Sequence, residues 1–570
     1  MAEDRIDSVD NLIDHFTARR INRREFFKRA AALGIGVSAA GTLLAACTGD
    51  DEAGSGDDGK PVKGGQLIEG YDRDFAKMDP VLTSWDDPSF VALYEFPVIR
   101  DADGLYLPAF FDSWTVSEDL LTWTFKMREG LTFHSGAAVD AQVVADNFNA
   151  FRDLDGKLGG PGQNAIFWPS VKDVKASDAT TVVATMSSPF AAFPETLATE
   201  NSMITNLVFR KEKGEDYGSA AADGTGPFQY STYKPGTEVV VTRWDDYPGN
   251  NIPYVVNKGA AHLDSVKWVP ILEAGQRANE IEAGTAHVVK NPAGQDIERL
   301  KGNKDLTTIS YPGLSGYYLG LNNQQTKYGF DDVKVRQAIS HAIDRQSLVD
   351  ALFFGQAVPD YGPIASNYKW YEPEVEQFNQ FDLEKAKALL DEAGWTAGSD
   401  GIREKGGQKL SFTALSSKLY QPTTGGIDEA IVPMLAEIGV EMKLDPPDEA
   451  DFFAKVGEAG TPEKALNVAA YSFEWLWSSP VDVLVFFQAF PSAAFTGDHV
   501  AAAVKKWQTA GDEATLEEGA REMQLAWAEQ LPKIPILTRN DTWVHKNEVK
   551  GYTPLQSMLY PLYNDVWLAT

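Results

Sequence analysis

Cys47 is the only cysteine in the 570-residue chain, and it follows Leu44-Ala45-Ala46 at the end of a small-residue apolar run that begins at Ala30. With no second cysteine to pair with, a thiol in that setting suits acylation better than a disulfide or catalysis. Other residue patterns that carry chemistry are missing. The seven histidines, His15, His134, His262, His287, His341, His499 and His545, never fall at paired metal-ligand spacing, and neither His-Glu-x-x-His nor Gly-x-Ser-x-Gly occurs. No phosphate-cradling Gly-x-x-x-x-Gly-Lys-Ser/Thr loop is present, and Gly224-Thr225-Gly226-Pro227 is too short for a dinucleotide fingerprint; its proline reads as a turn. Carboxylates are plentiful, so a secreted glycoside hydrolase stays open, but its diagnostic is a carboxylate separation that sequence does not give. No metal and no cofactor are expected.

Upstream of the thiol, Asn22-Arg23-Arg24-Glu25-Phe26-Phe27-Lys28 resembles the twin-arginine export signal, and Leu44-Ala45-Ala46-Cys47 resembles the lipobox at which a bacterial prolipoprotein is cut and lipidated. The apolar run is too short and too rich in Ala and Gly to span a membrane, which takes about 20 strongly apolar residues. Residues 1–46 are therefore expected to be a removed leader, and 47–65, rich in Asp, Gly and Ser, a flexible tether that cannot bury enough surface to offset its ordering entropy. The expected location is extracytoplasmic, with a lipid on Cys47 holding the protein at the membrane.

The elements that must position everything else follow the tether. Cleavage leaves 524 residues, too many for one compact core, and a net charge that moves from −31 to −32. So acidic a surface repels phosphate backbones, which argues against nucleic acid as a partner. Leu121 to Met127 alternates as a strand burying Leu121, Trp123, Phe125 and Met127, and Glu238 to Trp244 reads as another. Asp140 is placed to cap a helix carrying Val143, Val144, Phe148 and Phe151; Asp332 caps one with Val335, Ile339, Ala342 and Ile343. Asp382 and Gly394 bracket a helix that turns Ala386, Leu389, Leu390 and Ala393 inward, and Thr515 with Glu518 forms a capping-box pattern. The mixture indicates an α/β or α+β protein of several lobes.

Three stretches carry a family resemblance. The run from Leu107-Pro108-Ala109 through Asp112-Ser113-Trp114 to Phe133-His134-Ser135-Gly136 is the first, and Gly224-Thr225-Gly226-Pro227-Phe228 with Tyr233-Lys234-Pro235-Gly236 is the second. The third is Tyr318-Leu319-Gly320-Leu321-Asn322 followed by Asp332 to Ile339 and Ala342-Ile343-Asp344-Arg345. Together they resemble the extracytoplasmic solute-binding proteins, family 5, of dipeptide-, oligopeptide- and nickel-type ABC importers. Within these motifs His134 reads as a packed or surface histidine, and Arg336 with Asp344 as a structural helix pair.

The resemblance implies an α/β fold with two lobes, the type II, cluster C periplasmic-binding arrangement, closing by a hinge over ligand. It implies a discontinuous lobe I at 61–95, 215–316 and 538–570, an inserted domain at 96–214 and lobe II at 317–537. Relatives that bind peptides hold the ammonium with an Asp four residues before a Pro; counting back from Pro480 finds Leu476. Relatives that bind dipeptides grip the carboxylate with an Arg two residues before a Tyr; here Lys418 precedes Tyr420, keeping the charge without the bidentate fork. Trp475 and Trp477, with Trp85 and Tyr420 on nearby walls, remain for stacking, and Glu474 for accepting hydrogen bonds. One of the two tryptophans packing in the core is an equal alternative. The implied role is a receptor, not an enzyme, which binds a peptide or, next, an oligosaccharide and hands it to the permease subunits of an ABC transporter. A monomer is expected.

Overall fold

The computed structural model describes residues 60–75, 77–82, 88–101, 104–152, 168, 170–366, 368, 370–416, 426–448, 451–452, 454–456, 467–476, 498–510, 513–555 and 561–569. The leader, Cys47, most of the tether, Trp85, Lys418, Tyr420 and Trp477 lie outside these. Trp475 and Leu476 are described as backbone only.

One eleven-stranded sheet organises the chain beyond Pro61. Its strands run in the order Glu441–Asp445, Ser411–Ser416, Ala470–Leu476, Leu306–Leu321, Ile534–Lys546, Val288–Lys290, Gln66–Tyr71, Ser265–Pro270, Glu238–Arg243 and Phe228–Lys234, with Ala357–Pro359 also paired to Ile534–Lys546. Nine of these strands have ordinary lengths, between 3 and 7 residues. Two do not: Leu306–Leu321 has 16 residues and Ile534–Lys546 has 13. Each is long enough to belong to two half-sheets. The first half of Leu306–Leu321 lies beside the second half of Ile534–Lys546, which pairs onward with Val288–Lys290; residues Gly316 to Leu319 continue beside the first half of Ile534–Lys546, and Ser315 to Leu321 pair on their other edge with Ala470–Leu476. These crossing strands join the two lobes of the fold.

The register between them breaks between Pro312, opposite Asn540, and Gly316, opposite Thr538. Proline donates no ladder hydrogen bond, which makes a bulge the natural place for it. A Cβ at Gly313 would lie 2.6 Å from the Arg539 carbonyl oxygen, so only glycine lets the two backbones approach this closely.

A separate four-stranded antiparallel sheet, in the order Phe111–Val116, Thr122–Met127, Thr181–Met186 and Val171–Asp178, packs with helix Ala141–Arg152. Phe111 and Phe125 stack at 4.8 Å and Phe148 meets Trp168 at 5.0 Å, burying the apolar face that the alternation around Trp123 announces. His134 ties this region to the turn at Gly224: its Nδ1 accepts from the Gly224 N–H at 3.1 Å and its Nε2 donates to the Gly226 carbonyl at 3.0 Å. It is a brace, neutral because burial drives its pKa down to about 4.

The expected caps at Asp140, Asp332 and Asp382 form; their carboxylates accept from the N–H groups of Val143, Lys334 and Lys385 at 3.0, 2.9 and 2.9 Å. Ala342 and Ile343 are buried as expected but lie past the end of helix Val333–His341. Two expectations need correction. Helix Glu513–Gln530 starts two residues before Thr515, which therefore stands in the first turn rather than at the cap. Arg336 and Asp344 are structural but not a pair. The Arg336 guanidinium donates to the carbonyls of Phe330, Gln530 and Leu531, while Asp344 caps helix Arg345–Phe353. A buried guanidinium with five donors is satisfied by carbonyls as readily as by a carboxylate.

Candidate ligand-binding cleft

Where the crossing strands pass between the half-sheets, a polar run, Thr538-Arg539-Asn540-Asp541-Thr542, interrupts an otherwise apolar strand. Arg539 reaches strand Ala470–Leu476: its Nε donates to the Glu474 carboxylate at 2.9 Å. Its Nη1 stands 3.9 Å from both Asp72 and Asp541. Asn291, just past the end of Val288–Lys290, donates through Nδ2 to Asp72 at 2.6 Å and to Asp541 at 3.2 Å, and its Oδ1 accepts from the Thr542 N–H at 2.8 Å. Lys290 reaches Asp541 at 3.7 Å and rests over the rings of Tyr71 and Trp543. Arg277 completes the group by donating to the Asn291 carbonyl at 2.9 and 2.6 Å.

Three carboxylates thus face three cations, and burial of so many charges is tolerable because they are paired and hydrogen-bonded. Burial alone would raise Asp72, but Lys290 and then Arg539 outweigh it and hold its carboxyl well below the usual carboxylate range. Burial works against the charge on Arg539 too, yet Glu474, Asp541 and Asp72 raise its pKa. One Asp72 oxygen, Oδ1, is buried without a hydrogen-bond partner.

Beside this cluster lies a cavity of about 290 Å³ whose walls come from three places. Ala274 and Arg277 with Asn291 to Gln295 and Ile297 form one part, Leu352 to Phe354 and Gln356 a second, and Arg539, Asn540 and Thr542 of the crossing strand the third. Asn291 and Phe354 both adopt left-handed backbone, with φ of 51° and 52°. Such conformations cost energy in residues other than glycine and gather at ligand sites.

Of the residues expected to touch ligand, Glu474 is placed here, in strand Ala470–Leu476, but its carboxylate is engaged with Arg539. On the neighbouring strand, Ser416 donates to Asp428 Oδ2 at 2.5 Å, and Ser472 also bonds that oxygen, so the strand end that leads to Lys418 and Tyr420 is fixed. Arg539, Asp72, Asn291, Lys290 and Asp541 were not anticipated. Their signal was the polar Arg539-Asn540-Asp541 run inside a strand with apolar residues on both sides, a pattern that a core strand does not tolerate without partners.

Compared with known proteins, residues 106–496 match the sequence profile described as bacterial extracellular solute-binding proteins, family 5 Middle. The glutathione-binding protein GsiB of Salmonella paratyphi A is 26% identical over 457 residues, which cover 77% of this chain and 82% of that protein. Among solved structures, the periplasmic binding protein DppA from Helicobacter pylori in complex with the peptide STSA superposes with a TM-score of 0.73 at 22% identity, covering 89% of this chain and 99% of that one. The oligopeptide-binding protein AppA from Bacillus subtilis, in complex with a nonapeptide, gives 0.73 at 21% identity over 90% and 100%. At these identities the structural likeness speaks for the fold.

Proposed function

Because the chain belongs to family 5 of the bacterial extracellular solute-binding proteins, we propose that it captures a peptide or peptide-like solute between its two lobes and delivers it to the membrane subunits of an ABC importer. The observation that carries this reading is the cavity walled by both lobes and by the strand that joins them. A ligand touching both walls stabilises the closed arrangement by its differential affinity, and the permease recognises that arrangement. The solute undergoes no covalent change. Lobe I comprises 61–95, 215–316 and 538–570, lobe II 317–537, and the insert 96–214; the separate four-stranded sheet within the insert is consistent with that division.

In this reading the twin-arginine leader exports the chain, and acylated Cys47 keeps the receptor on the extracytoplasmic face of the membrane. Replacing Cys47 by Ser should move the protein from the membrane fraction to the soluble one. Retention in the membrane would end the anchor assignment. The solute itself is tested by purifying the chain from its host and identifying what copurifies by mass spectrometry. Adding the identified compound back at a hundred times its Kd should stabilise the protein by about 2.7 kcal/mol without any product forming. Turnover would favour the enzyme reading instead. The replacements at Leu476 and Lys418 favour an oligosaccharide as the second candidate, since they remove groups a free peptide terminus would use.

A further inference from the structure

Besides Asn291, whose carboxamide is engaged with Asp72, Asp541 and Thr542, three carboxamide residues line the cavity from three parts of the chain: Gln295, Gln356 and, on the crossing strand, Asn540. None of them makes a side-chain hydrogen bond to another described residue, and Asn540 Oδ1 is buried without a partner. Buried polar groups in native proteins are normally satisfied, and one left open beside a cavity points to something that enters it. Arg539 offers more of the same. Its Nε is spent on Glu474, but the carboxylates near Nη1 stand at 3.9 Å, beyond hydrogen-bond reach, so the outer edge of the guanidinium keeps its donors.

The electrostatics favour an anion. No Asp or Glu lines the cavity, whereas Arg277 and Arg539 both do. Helices Ala274–Ala283 and Gly294–Lys301 both begin at its wall, and neither has a side-chain cap competing for its first N–H groups. Ile297, Leu352 and Phe353 supply apolar lining. A volume of about 290 Å³ accommodates one or two residues, not a long peptide.

We infer that this cavity receives the carboxy-terminal residue of the solute: Arg539 holds the carboxylate, Asn540 and Gln356 hydrogen-bond the last peptide group, and the apolar lining takes an aliphatic or aromatic side chain. The assignment rests on the peptide reading above and narrows it to short peptides with a free, apolar C-terminal residue. It also relieves Lys418, which lacks a planar fork, of sole charge of the carboxylate.

The test uses two pools of tripeptides, Ala-Ala-Xaa with Xaa Leu, Phe, Val or Met, one as free acids and one as C-terminal amides. Each pool is incubated with the purified chain, passed rapidly over a gel-filtration column, and the retained peptides are quantified by mass spectrometry. Wild type should retain acids about 10- to 100-fold better than amides, the range expected when a charge-assisted hydrogen bond is lost. Asn540→Leu and Gln356→Leu, which leave no carboxylate unpaired, should each weaken acid retention severalfold with melting temperatures close to wild type. The double variant Arg539→Met with Glu474→Gln should erase the preference for acids. Equal retention of both pools by wild type, or an unchanged preference in all three variants, would overturn the assignment while leaving a peptide receptor intact. Retention of neither pool would sink the peptide reading itself and this assignment with it.

Discussion

At the scale of single residues, buried titratable groups decide how the protein responds to pH. His134 is held neutral between two glycine backbones, with its pKa pulled from 6.5 to about 4. A histidine depressed on folding contributes stability that is present above its unfolded value and is lost as pH falls from about 6.5 toward 4, in all by roughly 1–3 kcal/mol. Urea unfolding of wild type and His134→Gln should therefore converge as pH drops through that window; a constant gap would rule out the brace. Asp360 has the opposite sign. Burial raises its carboxyl to about 7, outweighing the Thr538 hydroxyl and Arg345, and its Oδ1 lacks a partner. Its contribution is present below about pH 3.8 and is lost as pH rises toward 7, so Asp360→Asn should be more stable than wild type at pH 8 and nearly equal at pH 4. Thermal melts at the two pH values check it. Sequence alone read His134 as a packed or surface histidine rather than a metal ligand, since no second histidine stands at ligand spacing. It gave no hint of Asp360, whose pKa depends on neighbours, Arg345 and Thr538, that only folding brings within reach.

Elements were more legible than contacts. Asp140, Asp332 and Asp382 precede amphipathic runs and cap them, since a cap is a local event between residues two or three apart. Thr515 misled for the same local reason: a capping-box pattern is only a pattern until the first hydrogen-bonded turn is located, and here it begins at Glu513. The crossing strands escaped notice because a break such as Pro312 to Gly316 reads as a strand end, whereas Leu306–Leu321 continues through it as a bulge. Gly313 makes that passage possible. Gly313→Ala should cost about 1–3 kcal/mol, as overpacking does, and should change the affinity for solute as well, because it pushes on the backbone of Arg539, which lines the cavity. Denaturant unfolding together with a solute titration separates the two effects; loss of stability with unchanged affinity would show that the bulge plays no part in closure.

For the molecule as a whole, the family resemblance read in the motifs near Gly136, Gly226 and Asn322 anticipated the two-lobed fold. It could not supply the ligand contacts, for the residues that differ from relatives, Leu476 and Lys418, are the ones that would name the solute. Closure is the collective prediction: small-angle X-ray scattering should record a fall in the radius of gyration when the free-acid tripeptide pool is added, and no fall with the amides. An unchanged scattering profile on saturation would mean that binding does not bring the lobes together.

The position of Ile534–Lys546 also bears on how the protein is made. This strand sits between Leu306–Leu321 and Val288–Lys290 in the middle of the sheet, yet 232 residues separate Ser310 from Thr542 and 251 separate Asn291 from Thr542. A ribosome synthesising the chain releases both half-sheets long before it releases the strand that fills the gap between them. Until then each half exposes an unpaired edge, a surface on which nascent chains meet chaperones or one another. Ile534–Lys546, which joins the two halves, is thus the last strand of the sheet to be assembled.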